Sequence, residues 1–193
     1  MSRLPLNAER GIKSGTVKPI FPMYTERLTV RRLTHDDFDA VLAIMGKQEV
    51  MYAWEHGFSE DDVRNWIDRQ LARYSEDGIG YFAVTLKESG QLIGQAGLMK
   101  TKMNGDEVVE VGYIFDSTYW HRGYATEVAR HLISHAFEEM DLPAVYCSIR
   151  PENKASIRVA ERLGMRPCGC HTVVYREKEM PHIIYKSDNY RQK

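Results

Sequence analysis

Three cysteines in 193 residues are too few and too odd in number for a disulfide scaffold, since at least one cannot pair within the chain. No apolar run nears the roughly 20 residues that a membrane-spanning helix requires. The amino terminus lacks the apolar core of a secretory signal. An excess of one charge is missing too. Against 27 acidic residues stand 26 basic ones, so the net charge of −1 draws the chain neither to nucleic acid nor to an anionic membrane. No internal repeat is present. These absences leave a cytoplasmic globular protein as the expectation. Its 43% hydrophobic and 27% charged residues are ordinary for that class, and the length suffices for one core.

Residues 1–23 mix Pro5, Gly11, Gly15, Pro19 and Pro22 with scattered basic residues and show no period, which predicts a flexible extension. A single domain over 24–187 and a tail over 188–193 complete the expected organisation. Leu28 and Val30 open a strand by alternation. Thr34 with Asp37, and Ser59 with Asp62, mark two helix starts. Val63, Trp66, Ile67, Leu71 and Tyr74 give the second of these helices its apolar stripe. Beyond Gly78 the period changes to two. Strands are predicted over 81–86, 91–99 and 108–115, with Asn104-Gly105 as a hairpin turn. A helix over 126–140, a buried strand over 144–149 and a helix over 154–163 ended by Gly164 follow. Two short strands near 172–175 and 182–185 close the chain. The order implies an α/β (α+β) fold, a mixed sheet of about seven strands flanked by about four helices.

Chemistry concentrates in residues 110–127, EVGYIFDSTYWHRGYATE. A strand runs into a short loop holding Gly123 and Ala125, and a helix begins. The first turn of a helix presents backbone N–H groups without internal partners, and its dipole adds positive charge. Gly123 and Ala125 keep that space clear, and His121 and Arg122 add donors at the rim, so a diphosphate fits there. The loop is not a Walker loop, because no Gly-Lys-Ser/Thr follows. Nor is it the three-glycine dinucleotide fingerprint, because its strand arises from a meander.

Taken together, the pattern resembles the GNAT superfamily of N-acetyltransferases, and its RimJ/RimL-like branch in particular. The superfamily signature is Arg/Gln-x-x-Gly-x-Gly/Ala, and this chain reads Trp120-His121-Arg122-Gly123-Tyr124-Ala125. Trp120 in place of Arg or Gln is a change typical of that branch. Thr25-Glu26-Arg27-Leu28, Glu110-Val111-Gly112-Tyr113, Asn153-x-x-Ser156 and Leu163-Gly164-Met165 extend the likeness over about residues 24–185.

The resemblance implies a mostly antiparallel sheet splayed between its fourth and fifth strands, and acetyl-CoA as co-substrate with no metal. It implies that His121, Arg122, Gly123, Tyr124, Ala125 and Thr126 hold the diphosphate. Tyr113, Ile114 and Phe115 would pair with pantetheine, Asn153 would bind near the reactive end, and Ser156 would lie beside the thioester sulfur. Many members place a Tyr seven residues after the Asn. Here that position is Ala160, which leaves Ser156 as the candidate donor to the thiolate. Glu110 shares a strand face with Gly112 and Ile114 and is the favoured base, with a structural carboxylate as the alternative. Tyr175 and His171 are the next candidates. Tyr52, Trp54 and Glu55, with His56 and Phe58, form an aromatic linker that lines the acceptor pocket in the resembled family, or else anchors a loop. A protein N-terminal α-amine or a small amine is the expected acceptor, and a homodimer is compatible with the resemblance. A catalytically silent acyl-CoA-binding module is the alternative function.

Two further signals take plainer readings. His131 and His135, four apart on a helix, read as a solvated pair rather than a metal site, because no Glu follows His131. Cys168 and Cys170 read as alternating strand positions rather than a zinc knuckle.

Overall fold

The computed structural model describes residues 21–190. Residues 1–20 of the expected 1–23 extension and residues 191–193 of the expected tail lie outside the described residues. Among the described residues eight strands form one sheet in the order β1-β2-β3-β4-β5-β6-β8-β7. They are β1 (Met23–Tyr24), β2 (Leu28–Arg31), β3 (Tyr81–Leu86), β4 (Leu92–Met103), β5 (Asp106–Phe115), β6 (Ala144–Ile149), β7 (Arg166–Tyr175) and β8 (Lys178–Asp188). The helices are α1 (Phe38–Met45), α2 (Glu60–Glu76), α3 (Tyr124–Glu138) and α4 (Lys154–Arg162). Seven strands were expected. The eighth is β1, where Met23 pairs with Val30, and Phe21 and Met23 already pack against the core.

Local chemistry accounts for the elements. The Ser59 hydroxyl caps α2 by accepting from the Asp62 N–H at 3.2 Å, and the Asp62 carboxylate accepts from the Ser59 N–H at 3.0 Å. Asn104 and Gly105 both take positive φ, 53° and 95°, as a primed two-residue hairpin demands. Alternation along the strands feeds two cores. Ala83 and Ile114 face α1 and α2 with Val41, Met45, Val63 and Ile67. Val84 and Val111 face the other layer with Val128, Leu132, Ala136 and Ala160.

All neighbouring strands run antiparallel except β5 and β6, which are parallel and pair only at Glu110 and Tyr146. Beyond that point the two strands diverge, each still paired on its outer side to β4 or β8. Residues 112–115 therefore present strand backbone to a gap rather than to a neighbour. That gap is the expected splay.

Candidate active site

The divergence opens a cleft of about 780 Å³. One wall is the end of β5 with Tyr113, Ile114 and Phe115. At the mouth stand His121, Gly123, Tyr124, Ala125 and Thr126. Asn153, the cap of α4, and Ser156 line the opposite side, and Glu110, Tyr52, Trp54, His171 and Tyr175 also line the cleft. Two expected site residues are not among those lining it. Arg122 places its guanidinium over the Tyr119 ring, 5.6 Å from the centroid. Glu55 adopts φ 67° and turns to Arg150 and Lys178. Hydrogen bonds from Lys178 and Arg150 hold its carboxyl below the usual range.

The mouth is a helix N-terminus, whose orphan N–H groups and dipole favour an anion. His121 and Gly123 take left-handed backbone, φ 63° and 82°, and swing the chain into α3. The first helical N–H with a partner inside the helix is that of Glu127, on the Gly123 carbonyl at 3.0 Å. The N–H groups of Tyr124, Ala125 and Thr126 precede it and have no carbonyl of their own helix to donate to. No Cβ stands at Gly123 to cover them.

Contacts near and far in sequence fix this loop. The Trp120 indole donates to the Phe115 carbonyl at 2.8 Å, so the residue that departs from the superfamily signature ties the loop to the end of β5. Arg27 donates to the Arg122 carbonyl at 3.0 Å and to Glu127 at 2.7 Å. Its guanidinium also lies 4.4 Å from the centroid of the Tyr124 ring. Burial works to raise the Glu127 carboxyl, but hydrogen bonds from Thr25 and Arg27, with the Arg27 charge, outweigh it and hold the group low. The stability this contributes is full above the ordinary carboxylate pKa and is lost as pH falls through the lower folded value. Arg27→Met strands Glu127, which is only 11% exposed, and frees the loop. Acetyl-CoA affinity is expected to fall about tenfold, a loss of roughly 1.4 kcal/mol, with a lower Tm; calorimetry and a thermal melt measure the two.

Glu110 sits where β5 and β6 part. Its carboxylate accepts from the Ser148 N–H at 2.9 Å, across the gap that the sheet ladder no longer closes. Burial pushes the carboxyl up to about 7, against the pull of that N–H and of Arg73. Gly112, two residues on, leaves room on the same face: a Cβ there would lie 2.1 Å from the Tyr81 hydroxyl. Next to Glu110 the Ser148 hydroxyl is 2.6 Å from His171 Nε2. Burial, and then His182, pull the His171 pKa down and favour the neutral ring. The Tyr175 hydroxyl instead bonds His56 Nε2 at 2.9 Å, joining the β7–β8 hairpin to the 52–58 linker.

On α4, the Asn153 side-chain carbonyl accepts from the Ser156 N–H at 3.0 Å and so caps the helix, leaving its amide as the donor toward the cleft. The Tyr113 hydroxyl donates to the Ser156 carbonyl at 3.2 Å. Ala160 is buried in the core and does not line the cleft. Sequence reasoning missed the role of Arg150. Its guanidinium donates to the Ala53 carbonyl at 3.2 Å and pairs with Glu55 and Glu152 beside the 52–58 linker. His135 is half-buried rather than solvated as expected, and burial lowers its pKa.

A sheet parted in mid-course, with bare strand backbone along the gap and a helix N-terminus at its mouth, defines a cleft for a long ligand with an anionic head. The comparisons name the class. The model of the acetyltransferase (GNAT) domain matches residues 27–166, and the chain belongs to this family. YnaD of Bacillus subtilis, an uncharacterized N-acetyltransferase, is 32% identical over 143 residues, 74% of this chain and 81% of the relative. A GNAT-family acetyltransferase of Bacillus anthracis shares the fold at a TM-score of 0.74 with 28% identity, covering 86% of this chain and 98% of that one. RimJ of Mycobacterium smegmatis, solved with a CoA disulfide, shows the same fold at a TM-score of 0.73 and 18% identity, covering 90% of both chains. The protein is an N-acetyltransferase by family, of the kind that moves acetyl to an amine. Among the described residues no helix is long and apolar enough to cross a membrane.

Proposed function

We propose that the chain transfers acetyl from acetyl-CoA to a primary amine by direct attack within one cleft. The observation that carries this is the parting of β5 from β6 beyond the Glu110–Tyr146 pair, with the open first turn of α3 at the mouth. Acetyl-CoA supplies an activated thioester when bound. The N–H groups of residues 124–126 would hold its diphosphate, and the backbone of 113–115 would pair with its pantetheine as a strand does. The Asn153 amide and Ser156 would meet its reactive end.

Chemistry then assigns the remaining roles. An attacking ammonium must lose a proton first. Glu110, with a pKa of about 7 and a place inside the cleft, is matched to take that proton at neutral pH, directly or through water. A backbone N–H of the parted strand would stabilise charge on the carbonyl oxygen. Ser156 would donate to the departing thiolate, since Ala160 supplies no acid. Ser156→Ala is therefore expected to lower kcat about tenfold, with acetyl-CoA affinity nearly unchanged. Stopped-flow chemistry and calorimetry on the same variant separate the two quantities.

The RimJ/RimL-like branch, with a protein α-amine as acceptor, is supported by Trp120 and by fold neighbours such as the S5-alanine acetyltransferase of Vibrio fischeri. CoA release from acetyl-CoA, read over a panel of α-amine peptides and small amines with mass detection of the product, tests the activity. A folded protein that binds acetyl-CoA and acetylates none of them would instead be a silent binding module.

A further inference from the structure

The charges that line the cleft are lopsided. Glu110 is its single carboxylate among the described residues, and its cations are Arg69, Arg73, Lys102, Arg150, Arg158 and Arg162. Three of the six are set aside by pairing or place. Arg150 is paired with Glu55 and Glu152. Arg158 and Arg162 lie on α4, on the wall opposite the end of β5. That leaves Arg69 and Arg73 on α2 and Lys102 on β4. None of these three forms an ion pair among the described residues, although the same surface elsewhere is well paired, as in Lys100–Asp77 and Arg176–Asp62.

Arg69 and Arg73 are four apart on a helix and so project from one face, a turn from each other. They stand on the layer that Glu110 faces, and Arg73 is close enough to act on the Glu110 carboxyl. The cost of this arrangement is specific. A polycationic amine entering here would meet two guanidinium groups and a carboxylate that carries only part of its charge at neutral pH. When Glu110 takes a proton, Arg73 also loses its counter-charge. An acceptor that brings its own anion resolves both problems.

Resting on the acetyl-transfer reading, we propose that the acceptor is an amine that carries a carboxylate, and that Arg69 and Arg73 hold that carboxylate while its amine faces Glu110. Guanidinium groups suit the task because they meet a carboxylate with two parallel N–H donors. The chemistry is shared by a free amino dicarboxylic acid and by a peptide with acidic residues beside its N-terminus.

Matched acid and amide pairs test the assignment on the full chain. One pair is glutamate and glutamine amide, in which both carboxylates are replaced by amides. The other is a C-terminally amidated hexapeptide beginning Ser-Glu-Glu and its Ser-Gln-Gln counterpart. Acetyl-CoA-dependent CoA release gives kcat/KM for each, and calorimetry gives the affinity of each N-acetylated product for the CoA-loaded protein. In at least one pair the acid is expected to win by about tenfold or more, one charge-assisted contact's worth. The pair that shows the preference names the source of the carboxylate. Arg69→Gln and Arg73→Gln should each bring that ratio toward one through KM. An equal or amide-favouring ratio in both pairs overturns the proposal, and so does a ratio that survives both substitutions. If no amine releases CoA but the acid products still bind selectively, the anion site stands and the acetyl-transfer reading falls. If neither rates nor binding favour the acids, the site falls.

Discussion

Glu110→Gln is expected to lower kcat/KM about 100-fold at pH 7, the usual size of a general-base contribution, and to abolish the rising limb of the pH profile near pH 7. The carboxylate at the parting of β5 and β6 has a pKa of about 7, so wild type gains its base over the same range in which it gains rate. Gln keeps the shape and can still accept from the Ser148 N–H, but it takes no proton. Its deficit should shrink toward pH 10, where an alkylamine arrives neutral without help. A parallel profile for wild type and variant between pH 6 and 10 would leave Glu110 with the Ser148 contact alone.

Stability supplies a second, independent reading of the same residue. Folding raises the Glu110 carboxyl from an ordinary 4.5 to about 7, so the folded state keeps a proton that the unfolded chain has released. Between those values the unfolded state binds fewer protons, and stability falls as pH rises. Gln removes that dependence. The variant should match or exceed wild type in Tm at pH 8 and lose the advantage toward pH 5. Glu110→Ala serves as the contrast, because it leaves the Ser148 N–H without its acceptor and should melt lower at every pH.

What the sequence made legible follows from how local each signal is. The Ser59–Asp62 box, the Asn104-Gly105 turn and the strands at 81–86 and 144–149 are set by neighbours within a few residues, and the structure places them as expected. The closing strands were read far too short. β7 and β8 span ten and eleven residues. β7 forms the sheet edge and is exposed on both faces along most of its length, so no alternation marks it, and Pro167 and Gly169 interrupt it at a register shift. β1 escaped for a related reason: two residues are too few to show a period.

The site divides the same way. Its helix-opening loop is a continuous stretch and reads directly from residues 120–125. The contacts that tune it do not. Thr25 and Arg27 meet Glu127 across about a hundred residues, Ser148 meets both Glu110 and His171, and Tyr175 meets His56 across 119. Only the sheet order brings such pairs together. Glu55 shows the reverse case. Its place among aromatics suggests the acceptor pocket, yet a left-handed backbone turns it toward Arg150 and Lys178.

Gly123→Glu is expected to abolish acetyl-CoA binding in a protein that still folds. The backbone there has φ 82°, so any side chain bears a strain of roughly 1–2 kcal/mol. Space is not the obstacle, because a Cβ would meet its nearest neighbour, an Arg27 nitrogen, at an ordinary 3.5 Å. Strain and charge must therefore be separated, and Gly123→Ala does so, since it carries the same backbone cost with no charge and little bulk. The two variants should melt within a few degrees of each other and below wild type. Their affinities should differ widely. The Glu carboxylate would stand before the free N–H groups of residues 124–126, take the donors meant for a diphosphate and repel its charge. A loss of at least about 100-fold beyond that of the Ala variant, some 2.7 kcal/mol, is the expected gap. Titration calorimetry with acetyl-CoA measures it. Equal affinities in two equally folded variants would remove the diphosphate from the mouth of α3, and with it the direction in which the cofactor enters the cleft.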